Sequence, residues 1–226
     1  MTRMDRSKSS LLAEAIVIVM SILLAFGLDA LWDQRNDRED EARLRASLER
    51  EFRGNRLTLE QTMAGVHQGR ERIEAVVAAT GADLRSLPED TAWAYLMALA
   101  RPYTVELGSG ATNSAVSSGT LALIRNETLR ESLAGWLGRT EDIRERTGIM
   151  VRQGEYIEAA VDRVAAELAI GLLSPSNAPE LLYGIRSDAE SMARVARKHY
   201  HSGVYLGELS LLLSRLDSTL VLLDGS

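Results

Sequence analysis

The sequence contains no cysteine, only four prolines and few aromatic side chains, which make up 5% of its 226 residues. Without cysteine, disulfides and thiolate chemistry are excluded. Few aromatics and prolines beside a 46% hydrophobic share favour a helical protein over a sheet-based one. The net charge of −6 is spread along the chain. A nucleic-acid-binding surface needs a clustered basic face, so no nucleic-acid partner is expected.

One long apolar stretch stands out, from Leu11 to Trp32, after a basic stub over residues 1–10. Glu14 and Asp29 interrupt it, and the centre between them is uncharged. About 20 residues of helix cross a bilayer core of about 30 Å. Residues 11–32 therefore predict a transmembrane helix in which both acids lie near the interfaces and Trp32 is an interfacial anchor.

A cleaved signal peptide is the alternative, because the basic start fits that pattern and Ala25-Phe26-Gly27 resembles a cleavage site. Apolar residues continue beyond Gly27 to Leu31 and Trp32, which favours a retained span. The basic residues lie closer to the span on its amino-terminal side. This arrangement predicts a cytoplasmic amino terminus and a carboxyl-terminal domain on the other side of the membrane.

Five residues of the span fall within an arc of about 100° on a helical wheel. They are Glu14, Ser21, Ala25, Leu28 and Asp29. One interpretation is that the two acids only lie at the membrane–water interfaces at the two ends of the span. The other is a helix–helix contact, or the lining of a pore in an oligomer, since ionisable groups in a span usually face protein or water.

Residues 33–80 predict a charged stalk that continues the membrane helix into the first helix of a bundle. No helix breaker occurs between Trp32 and Glu41. A seven-residue hydrophobic period follows and indicates an amphipathic helix that ends near Thr80-Gly81. Its members are Phe52, Leu59, Val66 and Ile73, supported by Leu48, Met63 and Val77.

Residues 81–226 predict the rest of the bundle. A short helix is expected to begin at Leu87-Pro88-Glu89-Asp90 and to end at Arg101-Pro102. The segment 103–120 reads as an irregular loop. Two long helices follow, the first opening at Asn126 as N-cap and the second at a capping box formed by Ser187 and Glu190.

Both long helices carry apolar residues in an unbroken 4-3 spacing, which is typical of coiled-coil-like seams. The first seam comprises Leu129, Leu133, Trp136, Thr140, Ile143, Thr147, Met150, Gly154, Ile157, Val161, Val164 and Leu168. The second comprises Met192, Val195, His199, Ser202, Leu206, Leu209, Leu213, Leu216, Leu220 and Leu223. The predicted fold class is all-α: one amino-terminal transmembrane helix, a stalk and an antiparallel helical bundle.

Five positions of these seams are polar or small instead of apolar, namely Thr140, Thr147, Gly154, His199 and Ser202. They predict either a polar layer that fixes register or binds a small molecule, or the ordinary tolerance of a bundle. His199 and His201 diverge by about 200° on a helix and cannot chelate one metal together. Gly108-Ser109-Gly110 lacks the lysine of a phosphate-binding loop. No catalytic constellation is present, and no metal or other cofactor is expected.

Two stretches form a pattern that extends beyond composition. The first runs from Glu14-Ala15-Ile16-Val17-Ile18-Val19 through Leu24-Ala25 and Trp32-Asp33-Gln34-Arg35 towards Leu44 and Leu48. The second is Ser117-Ser118-Gly119-Thr120-Leu121-Ala122-Leu123-Ile124, followed by Leu129-Arg130 and Leu133. They resemble the opening and the mid-chain signature of an uncharacterised family of bacterial single-pass membrane proteins that carry a domain of unknown function.

The resemblance implies an amino-terminal anchor and a mostly helical extracytoplasmic domain. Together with the position of the basic residues, it predicts a single-pass protein of the bacterial inner membrane whose carboxyl-terminal domain is periplasmic. It also implies that an acid at Glu14 belongs to the pattern, and it brings no catalytic residues. The sequence departs from the family at Asp33, where Asn is more usual, and at Ala111-Thr112-Asn113, where an aromatic is common.

The sequence thus predicts a non-enzymatic, membrane-anchored helical protein whose partners are the lipid bilayer and either its own copies or another membrane protein. Two alternatives stay open. One is a sensor or regulatory subunit that relays extracytoplasmic binding through the span. The other is an ion-conducting homo-oligomer in which Glu14 faces the pore.

Overall fold

The computed structural model describes the backbone of residues 4–225 and the side chains of residues 17–29 and 31–225. Over this part the chain forms seven α-helices and two 3-10 turns, Thr120–Leu123 and Pro175–Asn177, and no strand. The helices are α1 (Met4–Ala78), α2 (Gly81–Arg85), α3 (Glu89–Ala100), α4 (Gly110–Ser118), α5 (Glu127–Glu167), α6 (Ala178–Ser187) and α7 (Ala189–Asp224). The predicted all-α class is confirmed.

Helix α1 is one unbroken helix of 75 residues, which corresponds to roughly 110 Å at 1.5 Å per residue. It joins the apolar stretch, the charged stalk and the first helix of the bundle. The predicted seven-residue period is confirmed, because Phe52, Leu59, Val66 and Ile73 are all fully buried. The last supporting position was predicted wrongly by one residue. Val76 is buried, whereas the predicted Val77 is 43% exposed.

Helix α7 runs antiparallel to α1 and packs along it. Arg56 of α1 pairs with Asp217 at 2.9 Å, and 14 residues further along α1 Arg70 donates to the His199 carbonyl at 2.5 Å. Rising residue numbers on α1 therefore meet falling numbers on α7. The carboxyl-terminal end of α7 lies at the stalk end of the bundle.

Helix α5 packs against α7 on its other side, again antiparallel. Ser132 lies 2.6 Å from Thr219, and Thr147 lies 3.0 Å from Tyr205 between the hydroxyl oxygens. Helices α1 and α5 are therefore parallel to each other. Helices α3 and α4 contact both of them and fill the fourth side of the bundle.

The seam on α7 is broader than predicted, because α7 lies between α1 and α5 and is covered on two adjacent rows. The structure buries Val195, Ser202, Leu206, Leu209, Leu216 and Leu223, as predicted. It also buries a second row that comprises Ser191, Lys198, Tyr205, Leu212 and Thr219. The predicted positions Met192, His199, Leu213 and Leu220 are only half-buried.

Two short helices and one cap correct the sequence-based predictions. Helix α4 lies inside the segment expected to be irregular, and α6 had no counterpart in the prediction. The predicted capping box of Ser187 and Glu190 is wrong by one residue. Ser187 is the last residue of α6, and the N-cap of α7 is Asp188, whose carboxylate accepts from the Ser191 amide at 2.8 Å.

Candidate functional site

Within the described side chains of residues 17–29, 31 and 32, α1 is mostly apolar and is not covered by another helix of the chain. Its large apolar side chains between Val17 and Trp32 are 49–77% exposed. Soluble monomers rarely expose an apolar patch of this extent. Among the described residues, α1 from Val17 onward is the one helix with the length and apolar composition needed to cross a membrane. A signal sequence near the amino terminus shares these two properties.

The predicted contact arc lies on this exposed segment. The side chains of Ser21, Ala25, Leu28 and Asp29 are all exposed. The Ser21 hydroxyl donates to the Val17 carbonyl at 2.7 Å, so it is satisfied within its own helix. The side chain of Glu14 lies outside the described residues. Trp32, the predicted interfacial anchor, is 77% exposed at the end of the apolar segment.

The bundle begins nine residues after Trp32, or about 14 Å along the helix axis. There Glu41 accepts from Arg45 at 3.2 Å and from the Arg125 amide at 3.4 Å. Arg45 also reaches the Leu223 carbonyl at 3.5 Å. These contacts tie α1 to Arg125, two residues before α5, and to the end of α7. The stalk that separates the apolar segment from the bundle is therefore short.

The four polar positions predicted in the seams each have their own partner. Thr140 donates to the Leu137 carbonyl and Ser202 to the Lys198 carbonyl, both within their own helices. Thr147 meets the Tyr205 hydroxyl. His199 lies at the edge of the bundle, where its Nε2 is 2.6 Å from Glu74 and lowers the pKa of that carboxyl. The structure does not link the four into one hydrogen-bonded layer.

The most unusual buried group is Lys198, which the sequence-based prediction missed. Its side chain is fully buried and crosses the bundle from α7 to the end of α3. There the ammonium donates to the carbonyls of Ala98 at 3.2 Å, Leu99, and Arg101 at 2.8 Å. These carbonyls lie at the negative end of the α3 dipole. Burial lowers the pKa of Lys198 to about 7, and the charge of Glu158 partly opposes that shift.

The geometry of its donors explains why a lysine occupies this position. An ammonium carries three donors on one small atom, whereas a guanidinium is planar and directs its donors into a fork. An ammonium can therefore converge on three carbonyls at the end of one helix from a single atom. A signal was present in the sequence, since the chain has two lysines, Lys8 and Lys198, among 26 basic residues.

Two glycines let the chain around Lys198 pack closely. A Cβ at Gly154 of α5 would lie 2.9 Å from the Ala100 carbonyl oxygen, and one at Gly69 of α1 would lie 1.5 Å from the Tyr103 hydroxyl. The Tyr103 ring in turn lies 5.4 Å from the Lys198 ammonium. We name this set of Lys198, Gly69, Gly154 and Tyr103 the lysine node. It joins α1, α5 and α7 to the end of α3.

Glu51 and Asn55 of α1 bind the segment around Gly108-Ser109-Gly110, the stretch that lacks the lysine of a phosphate-binding loop. Glu51 accepts from the amides of Ala111 at 2.6 Å and Thr112 at 3.2 Å, and from the Thr112 hydroxyl at 2.6 Å. Asn55 exchanges two hydrogen bonds with Gly108, both at 2.7 Å. The amides at the start of α4 are therefore occupied by a carboxylate of the chain itself.

In the part of the chain that the structure describes, no group of three His, Asp or Glu side chains is placed to hold a metal ion. No protein-family model, no curated protein and no solved structure matches the chain. The resemblance of residues 14–48 and 117–133 to the single-pass membrane family therefore stays a prediction.

Proposed function

We propose that the protein is a non-enzymatic, membrane-anchored helical bundle of the bacterial envelope that assembles with its own copies or with another membrane protein. The observation that carries this proposal is the exposed apolar segment of α1, which continues without a break into the bundle. A helix that is apolar on all sides and uncovered by its own chain matches a lipid environment.

Length supports the same proposal. Residues 17–32 correspond to about 24 Å of helix, and residues 11–32 to about 33 Å, against a bilayer core of about 30 Å. Helix α1 begins at Met4, so its backbone covers the longer range. The charged stalk after Trp32 then lies at the membrane surface, and the stalk end of the bundle faces the headgroups.

Alkaline extraction of membranes from cells that produce the full chain tests the anchor. We expect the protein to stay in the membrane pellet with the intact mass of the uncleaved chain. Leu24→Arg places a charge in the middle of the span and should reduce insertion. Arg50→Gln, on the bundle half of α1, is the control and should change nothing. Release of the wild-type chain, or a mass that shows cleavage near Gly27, would contradict the anchor.

Orientation is tested on the same material. Leu57 on the bundle half of α1 is 55% exposed, and the chain has no other thiol. With a cytoplasmic amino terminus, an impermeant maleimide should label Leu57→Cys in spheroplasts without permeabilisation. Labelling that requires permeabilised membranes would place the bundle in the cytoplasm.

Self-association is tested by single-cysteine crosslinking in the membrane. Ser21→Cys and Ala25→Cys lie within the predicted contact arc, whereas Leu23→Cys lies about 180° away from it. We expect dimers through the first two positions and few through the third. Equal crosslinking at all three positions would remove the arc as an interface, and no crosslinking at any position would favour a different membrane partner.

A sensor or regulatory subunit is the second candidate, because α1 connects the apolar segment to the lysine node within one continuous helix. A change of packing in the bundle could then shift or rotate the span. This candidate requires a partner that reads the movement. It would lose its basis if spin labels at Leu24 and Leu57 showed a flexible joint in α1 between them.

A further inference from the structure

A groove opens on the outer side of the lysine node, between α1 and the end of α3. Its volume is about 530 Å³. The α1 wall carries Gln61, Thr62, Gln68 and Arg72, and the opposite wall is formed by residues 97–98 and 101–104. The Tyr103 ring, seated against Gly69, belongs to the lining. Polar donors thus line both walls.

The charge of this groove differs from that of the other grooves described. It contains two arginines, Arg72 and Arg101, and no carboxylate. Three other grooves each combine arginines with acids, namely Asp142, Glu145 and Glu208 in one, Glu60, Asp217 and Asp224 in the second and Glu41 in the third. A carboxylate-free groove is therefore unusual in a chain whose net charge is −6.

The two guanidinium groups also lack partners of their own. Most arginines around the bundle are paired, as Arg56 is with Asp217 and Arg146 with Glu208. Neither Arg72 nor Arg101 forms a side-chain ion pair or hydrogen bond within residues 17–29 and 31–225. Both lie close enough to Tyr103 for their charges to oppose the burial that raises the pKa of its hydroxyl. Their positive potentials therefore overlap in one place.

From these observations we infer that the groove between α1 and the end of α3 binds a small soluble oxyanion, a phosphate or carboxylate group, through Arg72 and Arg101. Guanidinium groups are the side chains best suited to such anions, because their paired donors match the geometry of a carboxylate or phosphate. The amides of Gln61 and Gln68 and the hydroxyls of Thr62 and Thr104 supply further hydrogen-bonding groups.

The position of the groove separates a soluble anion from a lipid headgroup. Gln61 lies 29 residues beyond Trp32, or about 44 Å along the helix axis. If Trp32 marks the membrane surface, as the proposed function has it, the groove is out of reach of the headgroups. The bound anion would connect α1 to the end of α3, so its occupancy would stabilise the middle of the bundle.

Calorimetric titration of the full-length protein in nanodiscs of zwitterionic lipid tests the inference. Inorganic phosphate and succinate are the probes, each at constant ionic strength maintained with chloride. We expect saturable binding of at least one probe. Arg72→Gln and Arg101→Gln should each weaken it about tenfold or more, the loss that one charge-assisted contact predicts. Arg72→Lys should weaken it less, because it keeps the charge but loses the fork.

Arg152→Gln is the matched control, since this exposed arginine lies on α5 outside the groove, and it should bind like the wild type. Circular dichroism of each variant verifies that the bundle is folded. No saturable binding of either probe, or unchanged binding in both groove variants, would overturn the inference. Nanodiscs with anionic lipid should not compete with phosphate, and competition would overturn the assignment to a soluble anion. Alkaline extraction decides the anchor separately.

Discussion

The two halves of α1 differ in how densely apolar residues occur and in how these residues are arranged around the helix. Between Leu48 and Val76 the buried residues lie on one face, which packs against the other helices, and the opposite face is polar. Between Val17 and Trp32 apolar side chains point in all directions and stay exposed. One helix thus carries two kinds of surface, one that matches protein and one that matches lipid. The difference teaches that the share of apolar residues and their distribution around a helix together indicate its surroundings.

Because only the second half of α1 packs against other helices, the stability of the bundle should depend on that half and on the helices that contact it. The exposed first half should contribute little. The largest effect should come from Lys198→Met. It removes the donor of the Leu99 and Arg101 carbonyls and leaves the Ala98 carbonyl only the contact with the Tyr103 hydroxyl at 3.5 Å, so the free energy of unfolding should fall by about 3 kcal/mol. Denaturant unfolding in detergent measures it.

Two controls accompany that variant. Arg197→Met changes the exposed neighbouring cation and should cost less than about 0.5 kcal/mol. Leu24→Ala, in the exposed half of α1, should leave the unfolding of the bundle unchanged within the same margin. A Lys198→Met protein as stable as the wild type would show that the lysine node does not hold the bundle together.

A pH dependence follows from the same lysine. Its pKa is about 7 when folded and about 10.4 in an unfolded chain. Between these values the unfolded state binds more protons, so the free energy of unfolding should rise with pH by up to about 1.4 kcal/mol per unit. Below pH 7 the full cost of the buried charge is present. Denaturant titrations from pH 7.5 to 9.5 should show this slope in the wild type and a flatter one in Lys198→Met.

Glycines along the bundle separate close packing from open surface. Gly154→Ala places a methyl group 2.9 Å from the Ala100 carbonyl, and we expect a loss of about 2 kcal/mol. Gly54→Ala meets nothing within 4 Å and should stabilise the helix by about 0.5–1 kcal/mol. Thermal unfolding compares the two variants. The two variants should change stability with opposite signs, and a stabilising Gly154→Ala would contradict the tight packing at the lysine node.

A smaller loss concerns the contacts at the start of α4. Glu51→Gln replaces one carboxylate oxygen by an amide group that faces backbone donors, so we expect a loss of about 1–2 kcal/mol. Glu49→Gln removes a solvent-exposed ion pair with Arg53 and should cost less than about 0.5 kcal/mol. Hydrogen exchange at the start of α4 should increase in the first variant alone. Equal exchange in both variants would show that the cap is unimportant.

Much of the helical framework was predictable because its signals are local. The hydrophobic period located α1, α5 and most of α7, and Pro88 and Arg101-Pro102 bracketed α3. Helix α4 was missed because its sequence has no strong helix formers beyond two alanines, and its cap comes from Glu51, which lies 60 residues earlier in the chain. That contact exists only once α1 and α4 pack together.

Helix α6 shows a different kind of miss. Ala178, Leu181, Leu182 and Ile185 follow the helical spacing and are all buried, so the signal was present in the sequence. The lysine node was beyond the reach of spacing arguments, because it depends on which of two adjacent rows of α7 faces the core. A row through Lys198 and a row through His199 have the same 4-3 spacing, and only the packing of α7 between α1 and α5 decides between them.

The central claim is that the apolar half of α1 lies in lipid while its other half belongs to the bundle, and two leucines test it most directly. Leu24 is 66% exposed and Leu57 is 55% exposed, so a water-soluble maleimide should reach both positions if no membrane surrounds either. In proteoliposomes of full-length single-cysteine variants, labelled from the side of the bundle, we predict rapid labelling of Leu57→Cys and almost none of Leu24→Cys, with both labelled after unfolding in SDS. Similar labelling rates for the two cysteines in the bilayer would contradict the account.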